Sequence, residues 1–247
     1  MLLMSRLRSM RMPLLILVAT APLHAPVTDF LAGYKGAPYQ DSRYHGGAQT
    51  IPGRVQCAYY DLGGEGVAYH DTTPTNEGSG KLNPADGSYL NEFRMHEGVD
   101  TSYTKFHDAI DNNPYNIVAP EENQLYVGWT APGEWFNITV NVAKAGLYSA
   151  DLFYTSNRGG TISVDLNGED ATGPISIAST FAAAEPIAWR QWHHWNVMKD
   201  GVKLKLAAGK NVLTIHILTE GNMNLAYLNF RETNQRASSL SAKDFDQ

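Results

Sequence analysis

From Ile51 onward, apolar and polar positions alternate over short stretches separated by turn residues, and no stretch sustains a 3.6-residue period. Residues 134–142 (Glu-Trp-Phe-Asn-Ile-Thr-Val-Asn-Val) set Phe136, Ile138, Val140 and Val142 on one face. Asn137, Thr139 and Asn141 fall on the other, which predicts a half-buried strand. Ala145-Gly146 makes a turn into a predicted partner strand over residues 147–155. Residues 161–166 alternate again, with Ile162, Val164 and Leu166 inward. Asn167-Gly168 follows, a pair suited to a hairpin turn whose central residues both need positive φ. Residues 202–206, 212–218 and 224–230 predict further strands, the first two joined through Ala208-Gly209. Short strands at this spacing predict an all-β fold, an antiparallel β-sandwich.

The flanks differ from this pattern. Residues 26–46 are polar, with Gly and Tyr, and read as an N-terminal arm or linker; residues 233–247 read as a disordered tail. The sandwich is expected over residues 47–232. Within it, residues 72–123 are rich in Asn, Asp, Gly, Pro and His, and long loops on a rigid β scaffold are either functional or disordered. Residues 1–25 carry Arg6, Arg8 and Arg11, then an apolar run over residues 13–18, then small residues ending at Ala25. That order describes a secretory signal peptide, and the run falls short of the roughly 20 apolar residues a membrane span needs. Cleavage is expected after Ala19, Ala21 or Ala25, leaving a secreted, periplasmic or extracellular protein.

Charge narrows the partners. The formal net charge is −6, and loss of the three leader arginines, with no acid in the same stretch, takes it to −9. An acidic chain is a poor partner for nucleic acid or an anionic membrane. No basic patch is visible in the sequence, which disfavours strongly anionic polysaccharides as well. Cys57 is the single cysteine, so no intrachain disulfide forms, and its context is that of a small buried hydrophobe.

Catalytic signals are thin. A glycoside hydrolase needs two facing carboxylates; the loops offer Glu65, Asp71, Glu97, Asp100, Asp108, Asp111, Glu121, Glu122 and Glu134, and no spacing singles out a pair. His70-Asp71, His96-Glu97, His107-Asp108 and His193-His194 lack the compact intervals of a zinc site and read as surface and loop histidines. No nucleophile elbow, phosphate loop or HExxH is present. The chain is therefore not expected to be an enzyme.

The aromatic set carries more. Three of the five tryptophans, Trp189, Trp192 and Trp195, fall within seven residues, and Trp129 and Trp135 flank a Gly-containing turn. Indoles are large, flat and apolar with one polar edge, a match for the C–H face of a sugar ring. Trp135 opens an alternating strand and reads as core, whereas Trp129 and one of Trp192 or Trp195 read as exposed. On an extended strand, residues three apart point to opposite faces, so only one of Trp192 and Trp195 is expected to serve as a platform.

Several blocks in order resemble a family 6 carbohydrate-binding module: residues 51–56, residues 60–73 and residues 97–100, then Val-Gly-Trp129-Thr-Ala-Pro-Gly-Glu-Trp135. Gly168, Trp192-His-His-Trp195, Ala208-Gly209 and Asn224-Leu-Ala-Tyr-Leu-Asn-Phe230 complete the set. The resemblance covers residues 47–232. It implies a jelly-roll sandwich that binds a polysaccharide or oligosaccharide without catalysis, in a cleft among loops at one edge. Such modules usually accompany secreted glycan-degrading enzymes, the implied partner. Carried across residue by residue, Trp129 is one wall of the cleft, Trp192 or else Trp195 the other, and Asn224 the amide that fixes sugar hydroxyls. The rival functions are a small hydrolase or lyase using loop carboxylates, and a structural or adhesive surface protein.

Two departures stand out. Where relatives carry a calcium-ligating Glu in the first strand and an Asp or Asn in the last, this chain has Ala58 and Ala226. Calcium seeks six to eight oxygens, so the expectation is no cofactor and no bound metal. The second departure is an insertion over residues 102–123, which either lines the cleft or merely extends the surface. The calcium expectation is checked by thermal denaturation: the melting temperature should be the same with calcium and with chelator.

Overall fold

The computed structural model describes residues 27–44 and 46–233; the stretch read as a signal peptide and the tail beyond Thr233 lie outside them. A short helix α1 (Val27–Gly33) precedes the strands. In chain order these are β1 (Gln49–Ile51), β2 (Gly53–Gln56), β3 (Tyr69–His70), β4 (Ser79–Gly80), β5 (Asn83–Pro84), β6 (Thr101–Tyr103) and β7 (Leu125–Val127). The longer ones follow: β8 (Trp135–Val142), β9 (Gly146–Ser156) and β10 (Gly160–Leu166). The last are β11 (Glu169–Asp170), β12 (Ile175–Ile177), β13 (Asn196–Leu206), β14 (Gly209–Thr219) and β15 (Met223–Glu232).

They build the expected β-sandwich. One sheet runs β1-β8-β14-β10-β11, with β12 added beside β10 and β3 beside β8. The other runs β13-β9-β15-β7-β6, with β2 beside β15. Pairing is antiparallel except for β1 with β8 and the small β4–β5 pair. Alternation turns Ile138, Val140, Ile162, Val164, Leu213 and Ile215 of the first sheet inward, against Leu152, Tyr154, Leu204, Leu206, Leu225 and Leu228 of the second. A fully buried aliphatic or aromatic side chain contributes about 1.5–3 kcal/mol relative to exposure, so this layer dominates stability. The β10–β11 turn is the predicted one: Asn167 and Gly168 have φ of 51° and 81°.

The half-buried strand of the sequence reading is buried on both faces. Behind β8, Thr139 donates to Asp61 from its amide (2.8 Å) and its hydroxyl (2.6 Å), and Asn137 Nδ2 donates to the Val67 carbonyl (3.0 Å). Tyr34 Oη donates to the second Asp61 oxygen at 2.7 Å. The polar face is thus covered by a loop that satisfies its hydrogen bonds, a demand that burial makes strict. Trp135, read as core, lies opposite Phe136 in the alternation; it is only half-buried, on the outer face of its sheet beside α1. The arm reaches the sandwich through a bridge between Ala37 and Leu62. Tyr39, stacked on Tyr59 at 5.5 Å, is part of a second apolar cluster.

Buried Asp100, just before β6, and half-buried Asp71 share an acidic seam. Burial, with Asp71 and Glu134 nearby, lifts Asp100 to about 7; burial, with Glu134 and Glu65, lifts Asp71 to about 6. A carboxyl raised in the folded state above its unfolded value binds its proton more tightly when folded. Its contribution therefore falls as pH rises through the window from about 4 to about 7. Thermal denaturation should accordingly give a higher melting temperature near pH 5 than near pH 8, and Asp100→Asn should reduce that slope.

Candidate functional site

The loop after β7 carries Trp129 in the left-handed region, at φ 48°. That conformation is uncommon for a residue with a side chain, and bonds on either side hold it. Gly128 donates to the Asp100 carbonyl at 2.9 Å, and Met223 donates to Thr130 Oγ1 at 3.0 Å. Gly128 has no room for a side chain: a Cβ there would lie 2.7 Å from Asn224 Oδ1. Gly78 lets the Trp129 ring lie against the backbone, since a Cβ at that position would come within 2.9 Å of the indole.

Trp129 and Trp192 face one cavity of about 690 Å³, which is within the range typical of ligand clefts. Asn224, at the start of β15, contributes to its wall, as does Trp189. Trp129 and Trp192 are half-buried, whereas Trp189 is 56% exposed and stands at the mouth. Asn224 is nearly buried; its Nδ2 donates to Thr155 Oγ1 at 2.9 Å, and no described donor reaches its Oδ1. Three of the four residues expected at the site therefore come together.

Trp195 does not join them. It is fully buried, stacked on Phe153 at 5.0 Å, and its indole N–H donates to Asp111 Oδ1 at 2.8 Å. The 192–195 segment is also no strand. A tight turn over Ala188–Arg190 precedes it, and β13 begins only at Asn196, earlier than its predicted start at residue 202. The two indoles part because the chain turns into the sandwich here.

The insertion lines the cleft rather than extending the surface. Lys105, His107, Ile110 and Asp111 all contribute to the wall. Asp111 is 1% exposed, and both its oxygens are engaged: Oδ2 accepts from the Lys105 amide (2.7 Å), Oδ1 from His193 Nε2 (2.6 Å) and from Trp195. Because the carboxylate only accepts, Nε2 carries the His193 proton, and Nδ1 accepts from Asn224 Nδ2 at 3.1 Å. Asn116 adds a backbone clasp, accepting from the Trp195 amide at 2.8 Å. Arg190 latches the insertion's tip, donating to the Ala109 carbonyl at 2.7 Å while it pairs with buried Glu185 at 2.8 Å. His193 and His194 are buried, not surface residues; Tyr115 stacks on His194 at 5.2 Å.

Burial holds the Lys105 ammonium below the ordinary lysine value, with nearby Asp111 opposing the shift. Trp189 and Lys105 are not among the residues expected at the site, and His107 and His193 are expected only as surface or loop histidines. For Trp189 the signal was there, in the density of indoles around it; for the others, only the fold brings them to the wall. Ala58 and Ala226 are both fully buried, the first among Tyr39, Phe93 and Leu125, the second among Tyr126, Phe153 and Trp195. Neither position offers a side-chain oxygen to a cation. Cys57 is buried, and burial pushes its thiol up, away from reactivity. Trp195→Ala should cost about 3–5 kcal/mol of stability in chemical denaturation, while Trp189→Ala should stay within about 0.5 kcal/mol.

No family model matches the chain, and no curated protein matches it. Solved structures do. A family 35 carbohydrate-binding module from Clostridium thermocellum is similar at 19% identity and a TM-score of 0.37, covering 48% of this chain and 85% of that one. The module CBM6cm-2 of Cellvibrio mixtus lichenase 5A, solved with cellotriose, is similar at 19% identity and a TM-score of 0.38, over 56% of this chain and 88% of that one. A family 6 carbohydrate-binding module is similar at 9% identity and a TM-score of 0.41, over 75% of this chain and 98% of that one.

Proposed function

We propose that this chain is a secreted, non-catalytic carbohydrate-binding protein that takes a polysaccharide or oligosaccharide into the cleft walled by Trp129, Trp189 and Trp192. The observation that carries the reading is the convergence of three accessible indoles and the Asn224 amide on one cavity. Sugar rings would stack on the indoles and exclude water from them, which supplies affinity, while the free Asn224 oxygen would accept from a ring hydroxyl and fix orientation. The rigid sandwich beneath keeps the platforms in place before the ligand arrives, so little ordering entropy opposes binding.

The state of the acids favours binding over hydrolysis. Asp111 is the acid in the cavity lining, and three donors occupy its oxygens. Glycoside hydrolysis asks for two carboxyls across the scissile bond, one of them free to give up a proton. An exposed indole at the mouth also fits a ligand that is a chain rather than a small molecule sealed within. A glycan-degrading enzyme remains the proposed partner, with the sugar as the ligand the two would share.

Affinity electrophoresis against a panel of soluble glycans provides the test. Trp189→Ala and Trp192→Ala should each weaken binding to the preferred glycan about 5- to 30-fold, and Trp129→Ala should remove most of it. If all three variants, shown folded by circular dichroism, migrate as the parent does, the cleft is not the binding surface.

A further inference from the structure

Lys105 is the unusual cation of this molecule. Lys81, Lys144 and Lys199 each hold a carboxylate at the surface. Lys105 is half-buried in the wall of the aromatic cleft, and no described carboxylate forms an ion pair with its ammonium. Its Nζ donates to Asn83 Oδ1 and lies 4.7 Å from the centre of the Tyr103 ring. One of its three donors is thereby used, and the ring face adds a weak cation–π contact. Asp111 is close enough to act on it electrostatically, but that carboxylate is 1% exposed with its oxygens committed to other donors. Two of its three donors have no described partner, and the residue lines the cavity.

A partly desolvated cation with no direct ion pair is costly, and part of the cost is recovered when an anion reaches it. The other polar groups of the lining are amides and hydroxyls, among them Asn91, Ser102 and Asn224, with exposed His107 and buried His193, and Asp111 is the one acid. Lys105 and Asp111 are the one lysine and the one acid in the lining, so the cleft is formally neutral while the whole chain is acidic. We propose that the sugar bound in this cleft is a uronic acid unit, whose carboxylate pairs with Lys105 Nζ while its ring lies against the tryptophans. The inference rests on the sugar-binding reading given above and names its ligand class. A carboxylate attached directly to the pyranose ring keeps charge and stacking face within one residue, as a single cavity holding both an ammonium and indoles requires. Charge-assisted hydrogen bonds are about twice as strong as neutral ones, so the pair would set specificity as well as affinity.

The experiment is isothermal titration calorimetry on matched pairs of oligosaccharides: oligogalacturonate, oligomannuronate and glucuronoxylan fragments, each beside its carboxyl-reduced counterpart, with a sulfated galactan oligosaccharide as a further arm. The expected result is that an acidic member binds about tenfold tighter than its reduced partner. That preference should shrink as salt is raised, because an open ion pair is screened. Lys105→Gln should abolish the preference, and Lys105→Arg should keep it; Trp189→Ala should weaken acidic and reduced members alike. The wild-type comparison and its salt dependence stand even if a Lys105 variant fails to fold. Equal or tighter binding of a reduced member, unaffected by Lys105→Gln, would overturn the uronate assignment and leave the sugar-binding reading intact. Tight binding of the sulfated arm alone, lost in Lys105→Gln, would overturn it in favour of a sulfate ester. Binding of no member of the panel would overturn the uronate assignment, while the sugar-binding reading stands or falls on the affinity electrophoresis described above.

Discussion

The buried Asp111 carboxylate is what holds the cleft together. It accepts from the backbone of the insertion at Lys105, from the His193 imidazole and from the Trp195 indole. One side chain thus ties an otherwise irregular loop to the segment that carries three tryptophans. Removing one partner of such a buried charged network leaves the others unpaired, which costs far more than the net worth of the bonds. The clasp between Asn116 and the Trp195 backbone, and the Arg190 latch on Ala109, close the same junction from two further directions. His193 passes the constraint on, since its second nitrogen meets the Asn224 amide.

The sandwich contributes in a different way. Its two sheets bury a continuous apolar layer, and at one edge the loop after β7, the insertion, and the turn before β13 come side by side. Those loops contain little regular structure, and backbone bonds such as Val118 to the Trp195 carbonyl and Gly128 to the Asp100 carbonyl tie them together. A surface made this way is rigid where it is buried and open where Trp189 stands. Stacking needs both conditions: a platform that does not have to be ordered, and a face that the ligand can dehydrate.

The division of labour among the tryptophans follows from this geometry. Trp195 spends its indole on the interior, against Phe153 and Tyr126. Trp129 and Trp192 are half-buried at the wall, and Trp189 is exposed beyond them. Trp135 stands apart, on the outer face of a sheet. Local alternation explains Trp135 and Phe136; it explains none of the other four, because none lies on a strand.

Alternating apolar residues in β8, β10 and β14, and the Asn167-Gly168 turn, made the sandwich legible, because strand periodicity and turn chemistry are properties of a few adjacent residues. The motifs around Trp129, Trp192 and Asn224 likewise pointed to one shared cleft. Local pattern could not tell that β8 is covered on its polar face, that the insertion faces inward, or that Trp195 belongs to the core. Nor could it show Lys105 beside Asn83, or Asp111 beneath His193 and Trp195. These depend on contacts between residues 22 to 84 positions apart, made only once the sheets have packed and burial has driven these polar groups to find partners.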